Sequence, residues 1–120
     1  MSDQRRELRK KILAFTPVYA LSPKRLLGYL GDLTAHGALV VGETAVETGK
    51  QVRLSVEFPR ELAELGDKPF TIAARVARCQ HDESPQFFNI GMEFPEVSAA
   101  QGKIIEAIIQ RYEFQRDYPQ

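Results

Sequence analysis

The sequence has little of what disulfide-bonded and metal-binding proteins need. Its 120 residues contain one cysteine, Cys79, and two histidines, His36 and His81. One cysteine cannot form a disulfide within its own chain, and these three residues do not stand at the spacings of a metal site. We therefore expect neither a structural disulfide nor a bound metal.

Excess charge and long apolar runs are missing as well. Sixteen lysines and arginines balance sixteen aspartates and glutamates. This balance argues against a domain that coats nucleic acid with a basic surface. No apolar run approaches the roughly 18 residues of a membrane-spanning helix, and the N-terminus lacks the apolar stretch of a signal peptide. We expect a cytoplasmic protein that is not embedded in a membrane and binds no nucleic acid.

The usual catalytic motifs are also absent. The sequence contains no G-x-x-x-x-G-K-[ST], G-x-G-x-x-G, H-E-x-x-H or G-x-S-x-G pattern. His36 has the chemistry of a general base, but no nearby nucleophile calls for one. The sequence therefore indicates a binding protein and not an enzyme.

Strict alternation of apolar and polar residues is the strongest pattern that is present. It occurs in "QVRLSVEF", "FTIAARVAR" and "FFNIGMEF" and is typical of strands with one buried face. The positions predicted to be buried are Val52, Leu54, Val56, Phe58, Phe70, Ile72, Ala74, Val76, Phe88, Ile90, Met92 and Phe94.

Three earlier segments also indicate strands. "TPVYAL" and "RLLGYLGDL" are separated by the turn signal "SPK", and "GALVVG" is a short apolar run between glycines. About six short strands in so small a chain favour a closed six-stranded antiparallel β-barrel of the split or Greek-key type. "PRELAELGDKP" interrupts the pattern and predicts a long loop or a single helical turn.

The end of the chain changes to a helical period. In "VSAAQGKIIEAIIQRYEF", Ser98 and Gln101 form a capping-box pattern, and a stripe of isoleucines follows. We expect this stripe to pack on the barrel or on a second subunit. The chain is predicted to be one mainly β domain, 1–120, with a basic N-terminal arm at 1–12, the barrel at 13–96, a helix at 97–114 and a tail at 115–120.

The N-terminal arm, "MSDQRRELRKK", concentrates positive charge. Arg5 and Arg9 are four residues apart, within reach of one compact anion. Guanidinium groups bind phosphates and guanine edges through paired hydrogen bonds. The alternative is a solvated terminal tail without a ligand.

A second short segment, "DLTAHG" at 32–37, lies between two predicted strands. Asp32 and Thr34 are residues whose side chains bond to nearby backbone amides, and Gly37 permits a close backbone approach. The alternative here is a turn with no other role.

Together the two segments resemble the PilZ domain, a bacterial receptor for cyclic di-GMP. The R-x-x-x-R of the arm is followed, after a predicted hairpin, by the D-x-[ST]-x-x-G of residues 32–37. "GMEF" at 91–94 is similar to the final strand of that family and precedes the helix. The resemblance covers nearly the whole chain in order.

The resemblance implies a ligand site with two sides. Arg5 and Arg9 would wrap over the dinucleotide, and Asp32, Thr34 and Gly37 would lie beneath it on the barrel. Neighbouring cations would add local attraction. The full set of expected ligand-binding residues is Arg5, Arg6, Arg9, Lys10, Asp32, Thr34, His36 and Gly37.

The function implied is that of a cyclic di-GMP effector that needs no further cofactor. Its arm would become ordered over the ligand and signal to a protein of motility, attachment, exopolysaccharide or secretion machinery. Two alternatives remain open: a PilZ-like adaptor that binds no nucleotide, and a small OB-like nucleic-acid-binding barrel.

Overall fold

The computed structural model describes residues 11–13, 16–58 and 69–114, in eight strands and one helix. Residues 1–10 of the predicted basic arm and 59–68, which are most of "PRELAELGDKP", lie outside the described residues, while residues 11 and 12 of the predicted arm belong to a strand. The elements in chain order are β1 (Lys11–Leu13), β2 (Pro17–Ala20), β3 (Arg25–Leu33), β4 (Gly37–Gly42), β5 (Gln51–Val56), β6 (Phe70–His81), β7 (Phe88–Glu93), α1 (Ala99–Arg111) and β8 (Tyr112–Phe114).

Six strands close into the predicted antiparallel barrel. Their order around the barrel is β2-β3-β4-β7-β6-β5, and β2 pairs with β5 to complete the circle. The hairpin predicted on either side of "SPK" is formed by β2 and β3. The long strand β6 pairs with β5 through its first half and with β7 through its second, so it links the two sides of the barrel.

The alternating positions fill the core, as predicted. Ile72, Val76 and Ile90 are completely buried, and the other positions predicted to be buried in the three segments are buried or half-buried. Ser55 differs, because it was expected on the outer face and is also buried. It stands in register between Tyr19 of β2 and Thr71 of β6, whose larger side chains flank the small serine.

Helix α1 packs on the barrel. Ile105 and Ile108 are buried in the same apolar cluster as the strand residues, which is the first of the two predicted packing modes. The capping box is formed, since the Ser98 amide donates to Gln101 Oε1 at 2.9 Å and the Gln101 amide donates to Ser98 Oγ at 3.1 Å. Gln101 Nε2 also donates to the Thr71 carbonyl of β6 at 2.9 Å, which fixes the start of the helix against the sheet.

The predicted boundaries at both ends of the barrel and helix are wrong by a few residues. The helix ends at Arg111, and residues 112–114 form β8 instead of a last helical turn. Strand β8 pairs in parallel with β1, so residue 13 belongs to this separate two-stranded sheet and not to the barrel. A pairing between positions about 100 residues apart leaves no local pattern in the sequence.

Candidate functional site: a turn, a bulged strand and a cavity

The segment 32–37 forms the tight turn between β3 and β4. The Thr34 amide donates to the Gly37 carbonyl at 2.9 Å, which closes the turn. The Thr34 hydroxyl accepts from the amides of His36 and Gly37, each at 3.2 Å, and donates to the Gly37 carbonyl at 3.3 Å. A hydroxyl has one donor and two acceptor positions, so all of its hydrogen-bonding capacity is used inside the turn. Thr34 therefore holds the turn in shape.

Asp32 keeps one carboxylate oxygen available. Its Oδ1 accepts from the amide of Leu33 at 2.9 Å, while Oδ2 has no hydrogen-bond partner within the described residues. The pairing of β3 with β4 shifts register between Leu30 and Asp32, as in a β-bulge, which changes the direction of the side chains that follow. The half-buried carboxylate thus lines the cavity beside the turn.

Gly37 and His36 join the turn to the end of β7. A Cβ placed on Gly37 would overlap the carbonyl oxygen of Met92, so only glycine permits this approach of β4 to β7. The Phe94 amide donates to the His36 carbonyl at 2.9 Å. Residues of "DLTAHG" and of "GMEF", which the sequence separates by more than 50 positions, are therefore in direct contact.

A cavity of about 590 Å³ opens beside this junction. We call it the turn cavity. Residues from four strands line it, and its floor includes Gly91 of β7. The residues are Asp32, Thr34, His36, Gly37, Ala38, Leu39, Ala77, Arg78, Gly91, Met92 and Glu93. Four of the eight predicted ligand residues, Asp32, Thr34, His36 and Gly37, are brought together here, while Arg5, Arg6, Arg9 and Lys10 lie outside the described residues.

Arg78 is a cavity residue that the sequence analysis missed. The register between β6 and β7 shifts between Val76 and Arg78, so the alternation that predicts the inward and outward positions changes phase there. The exposed Arg78 side chain lies across Gly91, where an added Cβ would be 3.2 Å from Arg78 Cγ. It has no hydrogen bond or ion pair within the part of the chain that the structure describes.

The charges around the turn cavity nearly cancel. Glu93 forms an exposed ion pair with Arg75. The other two ionised side chains that line the cavity, Asp32 and Arg78, have opposite charges and no ion-pair partner among the described residues. An exposed pair such as Arg75–Glu93 adds little stability, but it offsets a carboxylate that would otherwise repel an anion. With Arg75 included, this side of the cavity therefore carries no excess of positive charge.

Among the described residues, no group of three or more histidine, cysteine, aspartate or glutamate side chains is placed to hold a metal ion. Within the same residues, no helix has the length and apolar character required to cross a membrane.

The comparison with protein families decides the assignment of the fold. A family model described as "PilZ domain" matches residues 3–112. The chain belongs to the PilZ domain family. The match includes the arm from residue 3, the turn, the "GMEF" strand and the whole of α1, and so confirms the resemblance that the motifs indicated.

Solved structures of two PilZ proteins share the fold. The Bacillus subtilis inhibitor of motility, MotI or DgrA, aligns with a TM-score of 0.58 at 19% identity, over 75% of this chain and 42% of that one. The Escherichia coli YcgR PilZ domain, solved with c-di-GMP, aligns with a TM-score of 0.56 at 18% identity, over 78% of this chain and 79% of that one. This chain thus spans less than half of the MotI chain. The comparison with curated proteins gave no match.

Proposed function

We propose that this PilZ domain is a receptor for cyclic di-GMP that binds the nucleotide between its N-terminal arm and the turn cavity. The observation that carries the proposal is the contact between the two family motifs of the barrel around an open cavity. That cavity presents a carboxylate oxygen and a guanidinium, neither bonded to any other described residue. The shared fold of the YcgR domain solved with c-di-GMP supports it.

The chemistry of the cavity suits a guanine nucleotide. Guanine presents N1 and N2 donors on one edge and O6 and N7 acceptors on the other. Asp32 Oδ2 would accept from the donor edge, while Arg78 would donate to the acceptor edge or to a phosphate oxygen. The turn residues Thr34 and His36 line the same cavity as these two groups.

The charge balance of the turn cavity supports a role for the arm in binding the ligand. Cyclic di-GMP carries two negative phosphates, while the ionised side chains lining the turn cavity, together with Arg75, sum to zero: two cations against two carboxylates. Arg5 and Arg9 would supply the missing positive charge, with Arg6 and Lys10 adding to the local field. A receptor of this design uses the arm as the second side of its site.

Strands β1 and β8 provide a route from the ligand to a partner. Strand β1 begins at Lys11, within the last residues of the arm, and pairs with β8, which directly follows α1. Ordering of the arm over the nucleotide would therefore act on the end of the helix that packs on the barrel. We propose that the protein signals to its partner by this change of surface and has no catalytic role.

Calorimetric titration with cyclic di-GMP tests the assignment, with GMP as the control ligand. The parent protein should bind saturably, and Arg9→Ala should weaken binding by about 1.5–3 kcal/mol, or roughly ten- to hundred-fold, since a charge-assisted contact is lost. Lys103→Ala removes an exposed cation of α1 away from the turn cavity and should leave the affinity unchanged.

Two results would contradict the proposal. A flat titration of the folded protein would favour the adaptor without a nucleotide. Binding that survives both Arg5→Ala and Arg9→Ala at parental affinity would show that the arm is not part of the site.

A further inference from the structure

A second concave surface lies at the opposite end of β3 from the turn. It is a groove of about 930 Å³ between the β2–β3 turn, the start of β5 and the segment after β7. Arg25, Lys50 and Arg53 line it, and Glu96 is the single carboxylate among its lining residues. We call this surface the basic groove. In a chain whose charges balance overall, it concentrates three cations against one anion.

The three cations are not used in the fold. Their side chains are exposed and form no hydrogen bond or ion pair within the described residues. Lys24, their neighbour in sequence, contrasts with them, because it pairs with Glu57 at 3.0 Å and lies 4.5 Å above the Tyr19 ring. Cations that line a concave surface without partners reinforce one another's field and attract an anion.

The basic groove continues along the outer face of β6. A further cavity of about 520 Å³ reaches the start of α1 and shares Arg53, Ala73 and Glu96 with the groove. Ala73 is exposed and is the register partner of Arg53 on β5. Because its side chain is a single methyl group, the floor of the groove is open to the close approach of another backbone.

We propose that the basic groove binds an extended acidic segment of a protein partner. Charge complementarity favours carboxylates, and a groove that shares residues with a second cavity at the start of α1 suits a chain more than a compact ion. None of the lining residues is aromatic, so the groove lacks the stacking surface on which single-stranded nucleic acids bind. This inference extends the proposed function, since it gives the chemistry of the partner that the receptor would address.

Fluorescence anisotropy tests the groove with a labelled peptide of alternating glutamate and serine, and with its glutamine counterpart as the uncharged control. We expect the glutamate peptide to bind at low ionic strength, and the binding to weaken as salt is added. Arg53→Glu and Arg25→Glu should each weaken it about tenfold or more, because each replaces an attraction by a repulsion. Lys103→Glu makes the same change of charge outside the groove and should have little effect.

Several outcomes would overturn the inference. These are equal binding of the two peptides, equal weakening by Lys103→Glu, or unchanged binding in Arg53→Glu and the milder Arg53→Gln when both melt like the parent protein. Competition by cyclic di-GMP that depends on Arg53 would assign the groove to the nucleotide, and tighter Arg53-dependent binding of labelled single-stranded DNA would assign it to nucleic acid.

The same preparations separate this inference from the proposed function. In calorimetry with cyclic di-GMP, binding that is equal in the parent and in Arg53→Glu takes place outside the basic groove, because Arg53 lines the groove and not the turn cavity. Peptide binding together with a flat nucleotide titration would support the groove inference and contradict the proposed receptor function. Nucleotide binding without peptide binding would support the receptor function and contradict the groove inference.

Discussion

The turn cavity and the basic groove are both open and charged, but they hold their polar groups differently. In the turn cavity the Thr34 hydroxyl is fully bonded, Asp32 is held through one oxygen, and Glu93 is paired. In the basic groove, Arg25 and Arg53 have no partner among the described residues. Apart from Arg78, the polar groups of the first surface are held by contacts within the domain, whereas the cations of the second surface have no such contact among the described residues.

This difference predicts how the two surfaces respond to substitution. Groups that are held in place lose little conformational entropy on binding and favour a rigid ligand of defined shape. Long cations without partners adapt to many anions but contribute less to discrimination. Substitutions that remove the fixed groups of the turn cavity should therefore change both stability and binding, whereas substitutions of Arg78 or of the basic-groove cations should change binding alone.

The largest effect should follow from Gly37→Ala. The added methyl group would overlap the Met92 carbonyl, so the backbone must move. This should lower the free energy of unfolding by roughly 3 kcal/mol, near the upper end of the range for overpacked sites. Gly102→Ala is the matched control, because its Cβ would meet only Val97 Cγ1 at 3.8 Å, and alanine in a helix should raise the free energy of unfolding by about 0.8–1 kcal/mol. Urea denaturation measures both.

Equal stability of Gly37→Ala and the parent would show that β4 and β7 are not held as closely as described. In that case the turn cavity would resemble the basic groove, and the contrast between a fixed and an adaptable surface would fail.

The next effect concerns Arg78, which the turn cavity holds without a partner in the described residues. Arg78→Ala should lower the affinity for cyclic di-GMP by about 2 kcal/mol, near thirtyfold, because a charge-assisted contact with the ligand is lost. It should leave the melting temperature unchanged, because the exposed side chain bonds to no described residue. Arg53→Ala is the control from the basic groove, and its nucleotide affinity should equal that of the parent. An equal loss of nucleotide affinity in both variants would mean that the ligand is attracted by the positive charge of the domain and not by a contact with Arg78.

Gly91 allows a second test of the same contact. An alanine there would lie 3.2 Å from Arg78 Cγ and displace a flexible side chain without touching the backbone. Gly91→Ala should therefore weaken nucleotide binding only when Arg78 is present. A double-mutant cycle measures this dependence, and an effect of Gly91→Ala that persists in Arg78→Ala would remove Arg78 from the site.

The barrel could be predicted from the sequence because its signal is local. Alternation at Leu54, Ile72 and Ile90 reports on one buried face, and the pattern holds wherever the strand is regular. Capping by Ser98 and Gln101 is equally local and was also predicted correctly. These features need no knowledge of which strands are neighbours.

The site depends on features that alternation does not contain. A register shift after Val76 places Arg78 over Gly91, and the pairing of β1 with β8 ends the helix earlier than its period suggests. Both result from strand pairing between distant parts of the chain. The turn at 32–37 was recognised from its residue types, but the saturation of the Thr34 hydroxyl depends on backbone geometry.

The smallest effect should come from Thr34, and it separates a structural from a ligand-binding role of the hydroxyl. Thr34→Ser retains the three hydrogen bonds of the turn and should match the parent in stability. Thr34→Val leaves the amides of His36 and Gly37 without their acceptor in an exposed turn, where water replaces it, and should cost about 1 kcal/mol of unfolding free energy. Because the hydroxyl has no free position for a ligand, nucleotide affinity should fall only in proportion to the loosening of the turn. A loss of affinity in Thr34→Val as large as that of Arg78→Ala, with unchanged stability, would instead show that the hydroxyl leaves the turn to bind the ligand.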